Sequence, residues 1–313
     1  MKRSDPAPPY KATYSPVRRD IQGLRALAVI AVVLFHAGVA LPGGFVGVDI
    51  FFVISGFVIT ASLLREKARS GRISLRAFYW RRFRRLVPAL AVVVAITVFF
   101  SGLFLSPLGP QQTAALTGLA AMFSAANVAI SLSTGDYFDS AAELNPLLHT
   151  WTLSVEEQFY LVFPAALVLG ILLLRDVRRG AGLVLVAGTT VSFALMLATP
   201  WLLQIYATDF LGFYSPLIRA WEFGVGALVA WWALLRPPRL SRLLARWVYF
   251  LGFALVGLAF TSVSQTLIFP GPITLLPVLG TALIILAGTA SPWGSRDPLQ
   301  NHWAVTIGDW SYS

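Results

Sequence analysis

Long runs of apolar residues alternate along this chain with short polar connections. A helix that crosses a bilayer needs about 20 apolar residues. The pattern therefore predicts an all-α, polytopic membrane helical bundle with about eight complete transmembrane helices. The eight predicted spans are 22–41, 45–64, 86–105, 155–174, 181–199, 216–235, 247–265 and 273–290. A ninth apolar run, at 113–131, is rich in Ala, Gly, Ser and Thr and is predicted to be a re-entrant or interfacial helix.

Composition and charge agree with this class and indicate an orientation. The chain is 57% hydrophobic and 12% charged, with a net charge of +10. Its Lys and Arg residues concentrate in alternate connections, at 1–25, 65–85, 175–179 and 236–246. Because cytoplasmic loops attract Lys and Arg, the alternation predicts a cytoplasmic tail at 1–19. It also makes membrane lipid, and no nucleic acid, the expected partner of the basic residues.

Two ionisable residues share one face of the first apolar run. Arg25 and His36 are eleven residues apart, so on an α-helix their side chains point within ~20° of one direction. Ionisable groups inside a span are costly and usually functional. The pair is therefore a candidate functional feature. The alternative is a snorkelling arginine and a histidine bonded to a neighbouring helix.

A carboxylate opens the second apolar run. The connection at 41–44 is very short, so Asp49 and His36 are expected near the outer ends of two adjacent antiparallel helices. A carboxylate within an apolar helix needs a partner. Asp49 is predicted to orient His36 or to pair with its charge; a capping or purely structural role is the alternative.

A dense arginine cluster lies at the cytoplasmic end of the third predicted span. Arginine binds phosphate bidentately, so the cluster is a candidate site for a phosphorylated cofactor. The alternative is a basic loop that sets topology and contacts anionic lipid. The four arginines are Arg81, Arg82, Arg84 and Arg85.

The segment HTWTLSVEEQFY enters the fourth span from the outer side. Its adjacent glutamates cannot both face lipid, so at least one points into the bundle. Glu156 follows His149 by seven residues, which places both on one helix face. A structural hydrogen-bonded cluster and a catalytic or substrate-binding site both remain open, with His149, Trp151 and Ser154 as candidate substrate contacts. In the sixth span, Arg219 and Glu222 predict a structural ion pair.

Six ordered segments give the chain a resemblance to a known family. They are DIQGLRALAVIAVVLFHAG, GGFVGVDIFFVISGFVIT, FYWRRFRRLVPAL, LLHTWTLSVEEQFYLVFP, RAWEFGVGALVAW and IGDWSYS. Together they resemble the bacterial acyltransferase-3 family of integral membrane acyltransferases, which contains the O-antigen and peptidoglycan O-acetylases. The R-x10-H spacing of the first segment is weak evidence by itself, whereas the ordered set is specific.

The resemblance implies an acyl-CoA-dependent O-acyltransferase of the bacterial cytoplasmic (inner) membrane. Such an enzyme moves an acyl group, usually acetyl from acetyl-CoA, to a hydroxyl of a cell-surface polysaccharide or other glycan-like acceptor. No metal is expected. The family's required intramembrane Arg and His match Arg25 and His36. Its cytoplasmic R-x-x-R, which is associated with the CoA donor, fits two registers of the arginine cluster, and we favour Arg82 with Arg85.

Acyl transfer to a hydroxyl needs a base, and histidine suits that role near neutral pH. His36 is the predicted base, with Asp49 or Glu156 fixing its tautomer, and Arg25 is predicted to align the phosphorylated donor. No donor for the reaction's oxyanion is evident from the sequence.

The resemblance departs from the family pattern at the C-terminus. Members continue through another helix pair after the SYS segment, at which this chain stops. We expect 20–313 to be an acyltransferase-3-like transmembrane domain that is truncated and lacks the last one or two helices. A periplasmic SGNH-type domain, frequent in relatives with the HTW segment, is an expected partner. A secondary transporter and a non-catalytic truncated remnant are the alternative functions.

Overall fold

Helices form almost all of the regular structure. The computed structural model describes residues 18–39, 41–134, 137–138, 142, 144–206, 211–235, 240–290, 293 and 297–311. Their eleven α-helices are α1 Arg19–His36, α2 Gly47–Ser70, α3 Leu75–Phe104, α4 Pro110–Met122, α5 Ala126–Thr134, α6 Thr150–Leu174, α7 Val177–Tyr206, α8 Pro216–Leu235, α9 Arg242–Ser262, α10 Leu275–Thr289 and α11 His302–Trp310.

Seven helices of the described residues are long and apolar enough to cross a membrane. They correspond to seven of the eight predicted spans, which confirms the polytopic helical class. The first predicted span, 22–41, falls on α1, which has 18 residues and includes Arg19, Asp20 and Arg25. These three charged residues shorten its continuous apolar stretch, and α1 is not among the seven.

The apolar run at 113–131 is divided into two short helices. α4 and α5 have 13 and 9 residues, and both are too short to span a bilayer. Between them Ser124 takes a positive φ of 56°, which ends the first helix. The side-chain amide of Gln158 on α6 donates to the Ser124 carbonyl at 2.7 Å. This contact satisfies a carbonyl group at the break and ties the helix pair to the bundle.

α2 and α8 cross at the centre of the bundle. In α2, 78% of the 18-residue apolar stretch is buried inside the protein, whereas in α3 only 17% of the corresponding stretch is buried. A Cβ atom on Gly56 of α2 would overlap the carbonyl of Phe223, and one on Gly226 of α8 would overlap the carbonyl of Val53. The two glycines therefore let the helix backbones touch, as small residues commonly do in membranes.

α1 lies against this centre and carries the face on which the site is built. It packs on α2 near its C-terminal end and on α11 near its N-terminal end. Gly44, in the connection, and Gly47, at the start of α2, approach the α1 carbonyls of Ala31 and Ala28 so closely that a Cβ atom would overlap them. The short glycine-rich connection thus brings the C-terminal end of α1 and the N-terminal end of α2 together.

Candidate active site

A cavity of about 580 Å³ opens beside the C-terminal end of α1 and the N-terminal end of α2. Val29, Val32 and His36 line it from one face of α1, at the spacing expected of consecutive helical turns. The remaining walls come from α2, from the segment before α6 and from the first turn of α6. They include Phe51, Tyr137, Phe138, Asn145, Leu148, His149, Trp151, Thr152 and Gln265.

His36 lines this cavity, and both of its ring nitrogens have hydrogen-bond partners. Nδ1 lies 2.8 Å from the carbonyl oxygen of Val32, and a carbonyl only accepts, so Nδ1 carries a hydrogen. In the neutral imidazole Nε2 then holds the lone pair, and it lies 3.1 Å from the hydroxyl of Tyr137. The phenol O–H therefore donates to Nε2. A neutral histidine with its lone pair at a cavity has the form that a general base requires.

Sequence reasoning missed Tyr137. It lies 101 residues from His36, in the segment between α5 and α6. Its ring stacks on Phe213 with centroids 4.6 Å apart and an interplanar angle of 8°. Trp151 meets it edge to face at 5.9 Å. A contact across such a separation has no spacing signal in a single sequence, so the structure was needed to find it.

His149 and Trp151, two of the predicted substrate contacts, line the same cavity as His36. The pKa of His149 is lowered from its ordinary value, first because burial disfavours the charged ring and second because a positive charge on a protonated His36 would repel it. Both causes favour the neutral form of His149. Ser154, the third predicted contact, is instead buried and accepts a hydrogen bond from the backbone N–H of Ala126 at 3.1 Å.

Asp49 lies in a sealed ion cluster rather than beside His36. Its carboxylate accepts from Arg219 of α8 at 3.1 Å. The predicted pair is also present, with Arg219 Nε at 2.9 Å from Glu222. All three residues are fully buried. Asp49 therefore does not fix the tautomer of His36 in this structure; the Val32 carbonyl and Tyr137 occupy both ring nitrogens.

Aromatic rings close the space around the Arg219 guanidinium. Four of them lie 5.3–5.7 Å from its central carbon. Cations are attracted to ring faces, so this enclosure compensates part of the cost of burying the charge. One ring, Trp151, also lines the His36 cavity, so it separates the two polar centres. The four rings belong to Phe52, Trp151, Phe213 and Phe269.

Glu156 belongs to a second internal network. It accepts a very short hydrogen bond from Ser55 and another from the hydroxyl of Tyr160 at 2.7 Å. Arg82 lies 4.0 Å from Glu156 and bonds Glu157 at 2.5 Å. The guanidinium carbon of Arg82 is also 3.6 Å from the ring centroid of Tyr160. Glu156 thus has partners other than His36, and Arg82 is held by two carboxylates.

Arg25 lies at the inner end of the α1 face that carries His36. Its Nε is 3.3 Å from the hydroxyl of Ser311, and its Nη2 is 3.4 Å from the carbonyl of the same residue. Its guanidinium carbon is 5.7 Å from the ring centroid of Phe51. Since Phe51 also lines the cavity, this one ring stands between Arg25 and the space beside His36.

The other three arginines of the cluster are exposed along α3. Arg81 lies 3.8 Å from Glu66 with most of its side chain in solvent, and Arg84 lies 6.0 Å from the ring centroid of Trp80. Trp80 and Phe83 stack with centroids 5.8 Å apart beside an open cavity of about 720 Å³. Exposure leaves Arg81, Arg84 and Arg85 more accessible to an incoming phosphate than Arg82.

No group of three His, Cys, Asp or Glu residues in the described part of the chain could hold a metal ion. Around the cavity the structure brings together two histidines and a phenol, those of His36, His149 and Tyr137. That set can move a proton and orient a hydroxyl.

The family model for the Acyltransferase domain matches residues 18–313. Because this match covers nearly the whole chain, the protein belongs to that acyltransferase family.

Two curated relatives place the chain more closely. It is 34% identical over 289 residues to the peptidoglycan O-acetyltransferase OatA of Listeria monocytogenes serovar 1/2a, which covers 88% of this chain and 44% of the relative. It is 39% identical over 189 residues to the O-acetyltransferase OatA of Staphylococcus aureus, which covers 60% of this chain and 30% of the relative. The chain thus matches less than half the length of each relative. No solved structure matches it.

Proposed function

We propose that this protein is a membrane O-acyltransferase that moves an acetyl group from cytoplasmic acetyl-CoA to a hydroxyl of an extracytoplasmic glycan. The family match and the relatives named O-acetyltransferases support the reaction type. The relative named for peptidoglycan supports a glycan acceptor. The alternation of basic connections supports a cytoplasmic N-terminus in a bacterial inner membrane.

One observation carries the proposal: His36, whose Nδ1 donates to the Val32 carbonyl and leaves Nε2 as the possible proton acceptor, lines a cavity of about 580 Å³. An alcohol is a weak nucleophile until a base removes its proton. The cavity is large enough for part of a sugar ring, and pockets of this size are typical of small-molecule sites. His36 is the base in this mechanism, and the cavity is the acceptor site.

In the proposed transfer, His36 takes one proton from the acceptor hydroxyl and returns it to the sulfur of the donor. The acceptor O–H bond breaks as its oxygen forms a bond to the acyl carbon, and the proton passes to His36 Nε2. The carbon–sulfur bond of the thioester then breaks, and the sulfur leaves with the electron pair. The imidazolium of His36 returns the proton to sulfur, so the products are the ester and the free thiol of CoA.

The donor is proposed to enter from the opposite side, along the α1 face. Its phosphates bind the exposed arginines Arg81, Arg84 and Arg85, because guanidinium groups bind phosphate bidentately. Arg25, further along the path, aligns the donor near Phe51. Arg82 supports this region from within through its bonds to Glu156 and Glu157.

Sided vesicles test the proposal. The full chain is reconstituted in inside-out vesicles with radiolabelled acetyl-CoA outside and cell-wall glycan fragments enclosed. We expect label on the enclosed glycan with the wild type and background label with His36→Gln. Equal labelling by the two proteins, or transfer only from donors other than acyl-CoA, would overturn the corresponding part of the proposal.

A further inference from the structure

An open cavity of about 720 Å³ lies on the surface of the protein, along the N-terminal part of α3. Two residues that line it, Trp80 and Phe83, are 57% and 54% exposed, and their stacked rings lie in planes 9° apart. Since exposed rings add little to the packing of the bundle, this pair is a candidate binding surface. The described residues that line the cavity are Ser74, Arg76, Ala77, Tyr79, Trp80 and Phe83.

The Trp80–Phe83 pair lies beyond the apolar layer of a bilayer. α3 has 30 residues, whereas about 20 suffice to cross the hydrocarbon core. The span predicted within it is 86–105, so residues 75–85 extend ~16 Å past that span. The pair therefore lies at the level of the lipid headgroups or in water. The proposed function makes this the cytoplasmic side, from which the acyl-CoA donor arrives.

Two arginines flank the Trp80–Phe83 pair on the same face of α3. Arg76 precedes Trp80 by one helical turn, and Arg84 follows it by one turn. Both arginines are exposed, and the guanidinium carbon of Arg84 lies 6.0 Å from the ring centroid of Trp80. Arg82 is held on another face of the helix by two carboxylates of α6. The exposed face thus presents two aromatic rings between two positive charges.

The helix that carries these rings is fixed to the bundle beside them. The hydroxyl of Tyr79, the residue before Trp80, donates to the carbonyl of Leu161 on α6 at 2.7 Å. A surface on a fixed helix is formed before a ligand arrives, so binding has less conformational freedom to remove. The Trp80–Phe83 pair therefore has the rigidity that a stacking site requires.

We propose that the Trp80–Phe83 pair binds the adenine ring of the acyl-CoA donor, with Arg76 and Arg84 binding the phosphate groups on either side. The adenosine of CoA carries a phosphate at its 3′ position and a diphosphate at its 5′ position, so negative charge flanks a flat base. Bases stack on exposed aromatic side chains, and guanidinium groups bind phosphate. A lipid headgroup offers a phosphate but no flat base to cover the rings. The inference rests on the proposed function, because it names the part of the donor that this surface holds.

Calorimetric titration of the purified full chain with CoA and with its two halves tests the inference. The halves are adenosine 3′,5′-bisphosphate and 4′-phosphopantetheine. We expect Trp80→Ala/Phe83→Ala to bind CoA and the bisphosphate roughly 5- to 150-fold more weakly, the range for one lost base–ring stack. Its affinity for 4′-phosphopantetheine should not change. Its melting temperature should also stay the same, because both rings are exposed.

Trp247→Ala is the matched control. Trp247 is a 66% exposed tryptophan next to Arg246, in another basic connection of the chain. It lies on α9 and is not among the residues that line the α3 cavity, so its removal should leave CoA affinity unchanged. An equal loss of affinity in Trp247→Ala and Trp80→Ala/Phe83→Ala would reflect a general effect of interfacial tryptophans and overturn the inference.

The remaining outcomes separate this inference from the proposed function. If the wild type and Trp80→Ala/Phe83→Ala bind CoA equally well, the inference is overturned and the proposed donor stands. If that variant also loses a stabilisation that nanodiscs of phosphatidylglycerol give the wild type, the surface binds lipid headgroups instead. A wild type that binds no CoA refutes the donor of the proposed function, and the inference with it.

Discussion

Two polar centres in this protein share a wall and differ in almost every other respect. The Asp49–Arg219–Glu222 cluster is fully buried, carries three ionisable groups and is enclosed by aromatic rings. The His36 centre contains two histidines and a phenol, and it opens to a cavity. Trp151 contacts both. The first centre is built from buried ion pairs, whereas none of the described residues that line the His36 cavity is Asp, Glu, Lys or Arg.

The comparison has a physical reason. Burying a charge is costly unless an opposite charge compensates it, and the three groups of the cluster compensate one another inside a sealed space. A general base must be within reach of the proton that it removes, which requires open space beside it. Ionisable character alone, which drew attention to Asp49, therefore does not separate the two kinds of site.

Removing the cation of the sealed cluster should have the largest effect on the fold. Arg219→Met leaves two carboxylates buried without a partner, and breaking such a pair costs about 3–5 kcal/mol. We expect a lower melting temperature in detergent and poor expression. The triple variant Arg219→Met/Asp49→Asn/Glu222→Gln removes every charge and should recover most of the stability. A well-folded Arg219→Met that has lost only acetyl transfer would move this cluster into the catalytic machinery.

Replacing an exposed arginine of α3 should weaken donor binding without affecting folding, whereas replacing a paired arginine should affect folding. Arg84→Ala removes an accessible guanidinium and should weaken acetyl-CoA binding by roughly 1.5–3 kcal/mol, the range for a hydrogen bond to a charged group. Its melting temperature should not change.

Arg82→Ala is the contrasting variant of this pair. It leaves Glu157 without its 2.5 Å partner and should lower the melting temperature. Equilibrium binding of acetyl-CoA to both purified variants checks the difference. If Arg82→Ala loses donor affinity and Arg84→Ala does not, the result supports the favoured register of Arg82 with Arg85 and contradicts donor binding by Arg84.

The smallest expected effect concerns the pKa of His149. Burial and the neighbouring His36 both lower it, so His36→Gln should raise the pKa of His149 only part of the way to its ordinary value. NMR titration of the labelled histidine measures this directly. In the wild type the unfolded chain binds this proton before the folded one as the pH falls, so His149 lowers stability at acid pH. If the pKa of His149 is the same in His36→Gln as in the wild type, the two rings do not interact electrostatically.

Much of the architecture was predictable because local patterns determine it. Apolar runs of bilayer length predicted the spans, and the eleven-residue spacing predicted the α1 face that now carries Arg25, Val29, Val32 and His36. The division of 113–131 at Ser124 depends on a side chain of α6 and has no local signal.

The partners of the polar groups were less predictable. The need of Asp49 for a partner could be predicted from its place in an apolar helix. Its partner could not, because Arg219 lies 170 residues away and binds the carboxylate that was expected to pair with His36. Tyr137 lies in a connection between helices, where neither helical spacing nor charge distinguishes it. Long-range packing decides both contacts, and a single sequence carries no record of which side chains meet.

The most direct test of the account is transfer by His36→Gln, measured together with acetyl-CoA affinity and melting temperature. An amide occupies nearly the same space and can hydrogen-bond, but it cannot take a proton at neutral pH. The account predicts a rate lower by about 10²–10⁴-fold with affinity and stability near the wild-type values. A variant that keeps most of its activity would contradict it, make His36 a helix-contact residue and direct the search for the base to His149 or Glu156.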